Sequence, residues 1–453
     1  MRRSLSVSKS MLIATLVMLG GPALAEPTAA LQSSSADRPF FSVQGELQSR
    51  GYVEEEWIVN GQARAHAVPY GGRRTGTFVG EPAPYVTRIL VRRPLSPGRF
   101  NGVAVVEWEN VSNGFPSGNI WLAGSEHLMR AGYVWVGVTA QGFGGAERLR
   151  NWNSSRYGRL AIPNGGKMAA EPYALGIFDD VGRLLRAQEG PLRSVGGPKH
   201  LVAAGQSQSG IWLTTYLNAG LAADGPFDGF VLSAAIGSVI AGDLSKPVLR
   251  IVPEGDVRGD EASMHIPDGP LFRQWEIAGA SHVDRDLRSA REPLELRDLG
   301  QSTQAAIAGT CKETAIGTTT PARFVLHAGF EAMRRWIESG VPPRSIQRLA
   351  RRRTTGGSTE LVRSDTGRVV DGIQLPTYTA PIGIDVGANS GGPGCASQGY
   401  HRPFTPAQMA AVYSSAGDRA RRLRSAATEQ VRQGVLLRSD VSALMEGAKV
   451  GRW

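Results

Sequence analysis

The chain has 453 residues, of which 41% are hydrophobic and 20% charged, and its formal net charge is +10. No apolar run beyond the N-terminus is long enough to span a bilayer, which excludes an integral membrane protein once any leader is removed. Arginine clusters such as 351–353 lack interleaved aromatic residues, so a solvated basic surface is favoured over nucleic-acid binding. The length allows two or three domains, or one large α/β domain with additions.

The N-terminus has the pattern of a secretory signal peptide. Arg2, Arg3 and Lys9 precede the apolar run MLIATLVML, and the small residues Ala23-Leu24-Ala25 precede Glu26. The run is too short for a membrane helix, and an uncleaved anchor is the alternative. We therefore expect a signal peptide over 1–25, export to the periplasm or medium without a membrane anchor, and a disordered linker over 26–44.

The chain has two cysteines, Cys311 and Cys395. An even pair in an oxidising compartment is more often bonded than free. Closing this long loop would destabilise the unfolded chain by on the order of 4 kcal/mol. We predict a disulfide, with two separate buried thiols as the alternative.

The sequence pattern before residue 102 predicts that the first strands of the sheet are antiparallel. Residues 52–68 alternate around Asn60-Gly61, a two-residue hairpin signal. Residues 85–93 form another strand, which ends at Pro94.

From residue 102 onward, buried strands alternate with helices, which predicts a mostly parallel sheet covered on both faces. The predicted strands are GVAVVEW (102–108), YVWVGVT (133–139), HLVAAG (200–205), GFVLSAA (229–235), PVLRIVP (247–253) and RQWEIAG (273–279). The predicted helices include 119–132, 171–187 and the segment that follows 210. Ligands of such sheets bind beyond the carboxyl ends of the strands.

The remaining residues predict a C-terminal cap or lateral extension. Residues 321–340 form an amphipathic helix, 354–400 are strand-and-turn material, and 405–448 are two helices. We expect one elaborated domain over 45–453, with a core at 45–340 and an extension at 341–453. An independent C-terminal domain is the alternative.

The segment GQSQSG (205–210) is the centre of the predicted chemistry. A buried strand precedes it and a helix follows, so Ser207 lies at the apex of a candidate nucleophile elbow. Gly205 is small enough for the sharp turn, and Ser209 replaces the second glycine of G-x-S-x-G. An ordinary turn rich in serine and glycine is the alternative.

A histidine and an acid follow Ser207 in the order that such a nucleophile requires. The last strand runs into His282, and the strand before it runs into Glu254-Gly255-Asp256. Asp256 is favoured as the acid over Glu254 because of its distance from the strand end. His265 lies between these two strands and is the local competitor of His282.

The oxyanion donors are predicted from position alone. One is the backbone N–H of Gln208, the residue after the nucleophile. The other is the Asn110 amide in the loop after residue 108, with Val111 as its neighbour. Plain turn chemistry is the alternative for Asn110.

These segments together resemble the α/β-hydrolase superfamily over about 45–340, and more narrowly its "alpha/beta hydrolase domain" group with a G-x-S-Q-S elbow. The matching segments are VVEWENVS (105–112), GQSQSG (205–210), EGDV (254–257), AGASH (278–282) and GIQLPTY (372–378) with Cys395. The resemblance implies a serine hydrolase with Ser207, His282 and an acid at Asp256 or Glu254.

Other chemistries lack their motifs in this sequence. There is no H-E-x-x-H, no metal-spaced cysteine pair, no G-x-G-x-x-G after residue 108 and no phosphate-binding loop. We therefore expect no cofactor and no metal, and the cleavage of a small-molecule carboxylic ester. The alternatives are an amidase, lactonase or acyltransferase with the same three residues, or a non-catalytic binding protein of this fold.

Overall fold

The computed structural model describes residues 25–32, 37–67, 70–72, 80–187, 189–235, 237–241, 243–257, 266–314 and 316–449. The predicted signal peptide lies outside these residues except for Ala25. His265 lies outside them as well. Among the residues described, no helix is both long and apolar enough to cross a membrane.

A nine-stranded sheet organises the fold. Its strands are β1 (Thr28–Leu31), β2 (Tyr52–Ala63), β3 (Ala83–Pro94), β4 (Val103–Trp108), β5 (Val134–Val138), β6 (His200–Gln206), β7 (Gly229–Ser233), β8 (Val248–Pro253) and β9 (Phe272–Ile277). Their order is β1-β2-β3-β5-β4-β6-β7-β8-β9. The first three pairs in this order, β1-β2, β2-β3 and β3-β5, are antiparallel. All the pairs that follow, from β5-β4 to β8-β9, are parallel. This is the predicted α/β-hydrolase fold, and the prediction is confirmed.

Helices flank the sheet and continue into the C-terminal part. They are α1 (Gln44–Gln48), α2 (Asn119–Arg130), α3 (Glu147–Trp152), α4 (Ser154–Tyr157), α5 (Ala174–Arg186), α6 (Gln208–Asn218), α7 (Arg285–Leu299), α8 (Thr303–Ala308), α9 (Arg323–Ser339), α10 (Pro376–Thr379), α11 (Pro406–Val412), α12 (Ala416–Gln433) and α13 (Val441–Lys449).

The central strands are mostly apolar because both faces of the sheet are covered. In β4, every residue is buried. Val106 belongs to the core shared with Phe178 of α5 and Leu213 of α6. Val105 belongs to the opposite core, shared with Phe330 of α9. The two layers of helices therefore hold the strand ends in fixed positions.

The predicted hairpin at Asn60-Gly61 is wrong. Strand β2 runs through both residues and pairs with β3 over its full length, with Gly61 opposite Tyr85. A Cβ atom at Gly61 would lie 2.7 Å from the Tyr85 ring. This glycine makes room for an aromatic ring that crosses the strand, and it does not form a turn.

The expected disordered linker is also corrected. Part of it is β1, which pairs with β2 at the edge of the sheet. Phe40 and Phe41 are buried and their rings stack at 4.5 Å. The segment expected to be disordered therefore contains a short edge strand and a buried aromatic pair.

The C-terminal part packs against the sheet. Ile373 and Leu375 share a core with Trp275 of β9. Two small antiparallel sheets, β10 (Arg351–Arg353) with β11 (Thr359–Leu361) and β12 (Gly383–Val386) with β13 (Tyr400–Pro403), lie here. The predicted disulfide joins Cys311 to Cys395.

Residues 405–448 contain three helices where two were predicted. Ser415 caps α12 with its side chain, and Gly434 ends that helix in the left-handed conformation. These two residues separate α12 from its neighbours α11 and α13.

Candidate active site

Ser207 lies at a sharp turn between β6 and α6. Its φ is 61° and its ψ is −124°, a conformation that non-glycine residues seldom adopt. A Cβ atom at Gly205 would lie 2.8 Å from the Ser209 carbonyl carbon, and one at Gly210 would lie 2.9 Å from the Ala235 Cβ. Both positions therefore require glycine for the turn to close.

Ser209 closes the same turn with its hydroxyl group. Its Oγ accepts from the Gln206 N–H at 3.1 Å and donates to the Gln206 carbonyl at 2.9 Å. The residue is fully buried, so these are the partners that replace water. Serine fits the position of the usual glycine because its side chain is satisfied within the turn.

His282 and Asp256 form a chain of contacts with Ser207. His282 Nε2 lies 2.8 Å from Ser207 Oγ, and its Nδ1 lies 2.9 Å from Asp256 Oδ2. The side chain of His282 is 9% exposed and that of Asp256 is 1% exposed. The three residues follow β6, β8 and β9, so the carboxyl ends of parallel strands bring them together. This arrangement can deprotonate the hydroxyl and stabilise the imidazolium that results.

Glu254, the alternative acid, is held by other partners. Its carboxylate accepts from the Gly279 N–H at 2.8 Å, from Arg363 at 2.8 Å and from the Gly387 N–H at 3.3 Å. It therefore joins the loop after β9 to the C-terminal part. Asp256 is the carboxylate that contacts His282.

The Asn110 amide does not fit the predicted role of oxyanion donor. Its backbone N–H donates to the Ser117 carbonyl at 2.9 Å in an isolated antiparallel bridge, so the prediction is corrected. The neighbouring Val111 N–H donates to Gln208 Oε1 at 3.2 Å. The Gln208 N–H lies in the first turn of α6, where backbone donors have no partner within the helix.

Several side chains around the elbow were not predicted. The Asn110 side chain donates to the Gln206 carbonyl at 2.9 Å, and the Asn119 side chain donates to Gln206 Oε1 at 2.9 Å. Gln141 accepts from Gln208 Nε2 at 2.5 Å. One signal for this network is visible in the sequence, namely the pair of glutamines that flank Ser207.

Two buried carboxyl groups lie near the ends of the strands. Burial raises the pKa of Glu107 to about 8, although N–H groups of Ile120 and Trp121 act in the opposite direction. Burial likewise raises the pKa of Glu171 to about 7, against hydrogen bonds from the N–H groups of Gly142 and Phe143. These carboxyls hold the first turn of α2 and the loop after β5.

The described part of the chain contains no cluster of three or more His, Cys, Asp or Glu side chains that could hold a metal ion.

The comparison with protein families agrees with this architecture. A family model described as "Alpha/beta hydrolase domain" matches residues 24–446. No curated protein sequence matches the chain. An α/β serine hydrolase without a lid from Xanthomonas campestris is 16% identical, with a TM-score of 0.29, and the match covers 52% of this chain and 94% of that one.

Two further solved structures are similar at the same low level. An α/β serine hydrolase homologue from Coxiella burnetii is 14% identical, with a TM-score of 0.30 and coverage of 48% and 92%. An esterase solved with p-nitrophenol is 12% identical, with a TM-score of 0.29 and coverage of 47% and 67%. Similarities of this size do not carry an activity over to this chain.

Proposed function

The chain belongs to the alpha/beta hydrolase domain family, and from that premise we propose that it is a serine hydrolase that cleaves carboxylic esters. The observation that carries the proposal is the continuous chain of contacts from Ser207 through His282 to Asp256. A strained backbone at Ser207 adds support, because such conformations are kept where the side chain must be presented to a substrate.

In the proposed reaction, each of the three side chains has one role. Ser207 Oγ attacks the acyl carbonyl while its proton passes to His282 Nε2, and Asp256 stabilises the imidazolium. The Gln208 N–H binds the oxyanion. Collapse of the tetrahedral intermediate breaks the ester bond, and His282 returns the proton to the leaving alcohol. Water then attacks the acyl-enzyme with His282 as base, which releases the acid and restores Ser207.

Substitution of the nucleophile tests the proposal. Ser207→Ala should lower turnover of a panel of p-nitrophenyl esters by at least about 10⁴-fold. A fluorophosphonate probe should label the wild-type protein at Ser207 and leave the variant unlabelled. Ser339→Ala, at the exposed end of α9, is the matched control and should behave as wild type. Unchanged ester turnover in purified Ser207→Ala would refute the proposal.

We also propose that the protein is exported. The leader sequence and the Cys311–Cys395 disulfide support this localisation, because disulfides persist in oxidising compartments. N-terminal sequencing of the protein from its exported fraction should begin at Glu26. Recovery in the cytosolic fraction with Met1 retained would contradict export and leave the proposed chemistry unaffected.

A further inference from the structure

The residues on both sides of Ser207 are glutamines with buried side chains. Gln206 Nε2 donates to the His282 carbonyl at 3.3 Å, and Gln206 Oε1 accepts from Asn119 at 2.9 Å. Each amide oxygen and nitrogen thus has a partner from a distant segment. The elbow is tied through this side chain to the loop that bears the histidine.

Gln208 makes the equivalent connection on the other side of the elbow. Its Oε1 accepts from the Val111 N–H at 3.2 Å, and its Nε2 donates to Gln141 Oε1 at 2.5 Å. The Asn110 side chain reaches the Gln206 carbonyl from the same loop. The loop after β4 therefore contacts both residues that flank the nucleophile.

The partners of the two glutamines are themselves fixed. Asn119 begins α2, whose first N–H groups donate to the buried Glu107 at 2.7 and 2.9 Å. Gln141 also accepts from Trp108 Nε1 at 3.1 Å and donates to the Met168 carbonyl at 3.0 Å. The amides thus connect the turn to rigid elements, which is what precise placement of reacting groups requires.

An uncharged amide is the group that suits both positions. It donates and accepts at once and carries no charge at any pH at which the protein is folded. A carboxylate at 208 would lie beside the N–H that faces the oxyanion and would oppose the developing negative charge. A carboxylate at 206 would lie beside the histidine loop and would favour the protonated imidazole.

We propose that Gln206 and Gln208 are positioning residues that hold the nucleophile elbow in register with the His282 loop and the loop after β4. Gln206 governs the placement of the base, and Gln208 governs the stabilisation of the oxyanion. The inference rests on the proposed hydrolase function of Ser207.

Four variants separate this role from simple packing. Gln206→Met and Gln208→Met keep side-chain size and remove the hydrogen bonds, while Gln206→Glu and Gln208→Glu keep the shape and add a charge. The measurements are kcat and KM on p-nitrophenyl acetate from pH 5 to 9, the rate of fluorophosphonate labelling, and Tm. Both Met variants should lower kcat by about 10-fold or more, with little change in KM.

The two Glu variants should differ in a way that packing does not explain. Gln208→Glu should lower kcat further than Gln208→Met, by about 10-fold, because a charge opposes the oxyanion. Gln206→Glu should move the acidic limb of the kcat/KM profile to higher pH, and Gln206→Met should leave that limb in place. Gln430→Met, in α12, is the control and should keep wild-type kcat and profile.

Each result decides the proposal. Folded Met variants with wild-type kcat and labelling would overturn it. Equal losses in the Met and Glu variants, without a shift of the pH profile, would overturn the electrostatic part and leave the positioning by hydrogen bonds. Absence of labelling in the wild-type protein would refute the proposed hydrolase function itself, which is a different outcome from the two above.

Discussion

Two of the histidine–aspartate pairs among the described residues lie in different regions and have the same distance between the ring and the carboxylate. At the carboxyl edge of the sheet, His282 Nδ1 lies 2.9 Å from Asp256. Where α9 meets the C-terminal part, His327 Nδ1 also lies 2.9 Å from an aspartate, Asp440. The distance between the two side chains therefore does not distinguish a catalytic pair from a structural one.

The two pairs differ in the group that faces Nε2 of the histidine. His282 Nε2 faces the Ser207 hydroxyl at 2.8 Å, whereas His327 Nε2 faces the Ala123 carbonyl at 3.3 Å. A carbonyl has no proton to give, so His327 cannot act as a base toward its neighbour. His327 is also fully buried, while His282 is partly exposed. In the proposed mechanism the first pair therefore acts on Ser207, whereas the second pair joins α9 to the C-terminal part.

Substitution of the two histidines gives the largest expected contrast. His282→Ala should lower kcat/KM on p-nitrophenyl esters by about 10⁴-fold or more, because the base is lost. His327→Gln should lower Tm and keep near-wild-type kcat/KM in the folded protein. Steady-state kinetics and thermal unfolding of both variants measure the contrast. A loss of similar size in folded His327→Gln would remove the distinction between the two regions.

The two acids after β8 give the next largest contrast. Asp256→Asn should lower kcat by about 10³- to 10⁴-fold, because the amide no longer stabilises the imidazolium or fixes its tautomer. Glu254→Gln should mainly lower Tm, because Arg363 loses its charged partner. If Glu254→Gln were the slower enzyme of the two at equal folding, the acid would be assigned wrongly.

The elements near the site were predictable because their patterns are local. Strand β6, the small residues at 205 and 209, and His282 in the loop after β9 were all predicted from short apolar runs and the residues that end them. In a parallel sheet the strand ends share one edge, so sequence order was enough to bring the three side chains together.

The failures share a physical cause, which is that tertiary contacts decided them. The sequence around Gly61 is typical of a turn, but in the structure this glycine makes room for the Tyr85 ring. Asn110 was expected to offer its backbone N–H, but an isolated bridge to Ser117 uses that donor and leaves the side chain to bind the elbow. The roles of Gln206 and Gln208 depend on partners far away in the sequence.

Removal of the disulfide should affect stability and not chemistry. The double variant Cys311→Ser with Cys395→Ser should lower the free energy of unfolding by about 4 kcal/mol, because the 84-residue separation gives a large loop. Its kcat at 25 °C should stay near wild type, since among the described residues neither cysteine is hydrogen-bonded to Ser207, Asp256 or His282. Urea unfolding and ester kinetics test both parts. A large loss of kcat in the folded variant would mean that the C-terminal part held by this disulfide is needed for activity.

The smallest expected effect concerns Asp440 and depends on pH. Burial alone would raise the pKa of this carboxyl, but hydrogen bonds and charge from His327 and Arg130 hold it below its ordinary value. The unfolded chain therefore takes up this proton at higher pH than the folded protein does. The pair stabilises the fold above the ordinary carboxyl pKa, and this contribution disappears as the pH falls through the lower folded value.

Asp440→Asn should accordingly lower the free energy of unfolding by about 2 kcal/mol at pH 7. The gap between wild type and variant should narrow as the pH falls below about 4, where the unfolded wild-type carboxyl is protonated. Urea unfolding of both proteins at pH 7, 5 and 3 measures the gap. A gap of equal size at pH 3 and pH 7 would mean that shape, and not charge, holds His327 against Asp440. In that case the two histidine–aspartate pairs would differ in the interaction that holds them together, and not only in the atom that faces Nε2 of the histidine.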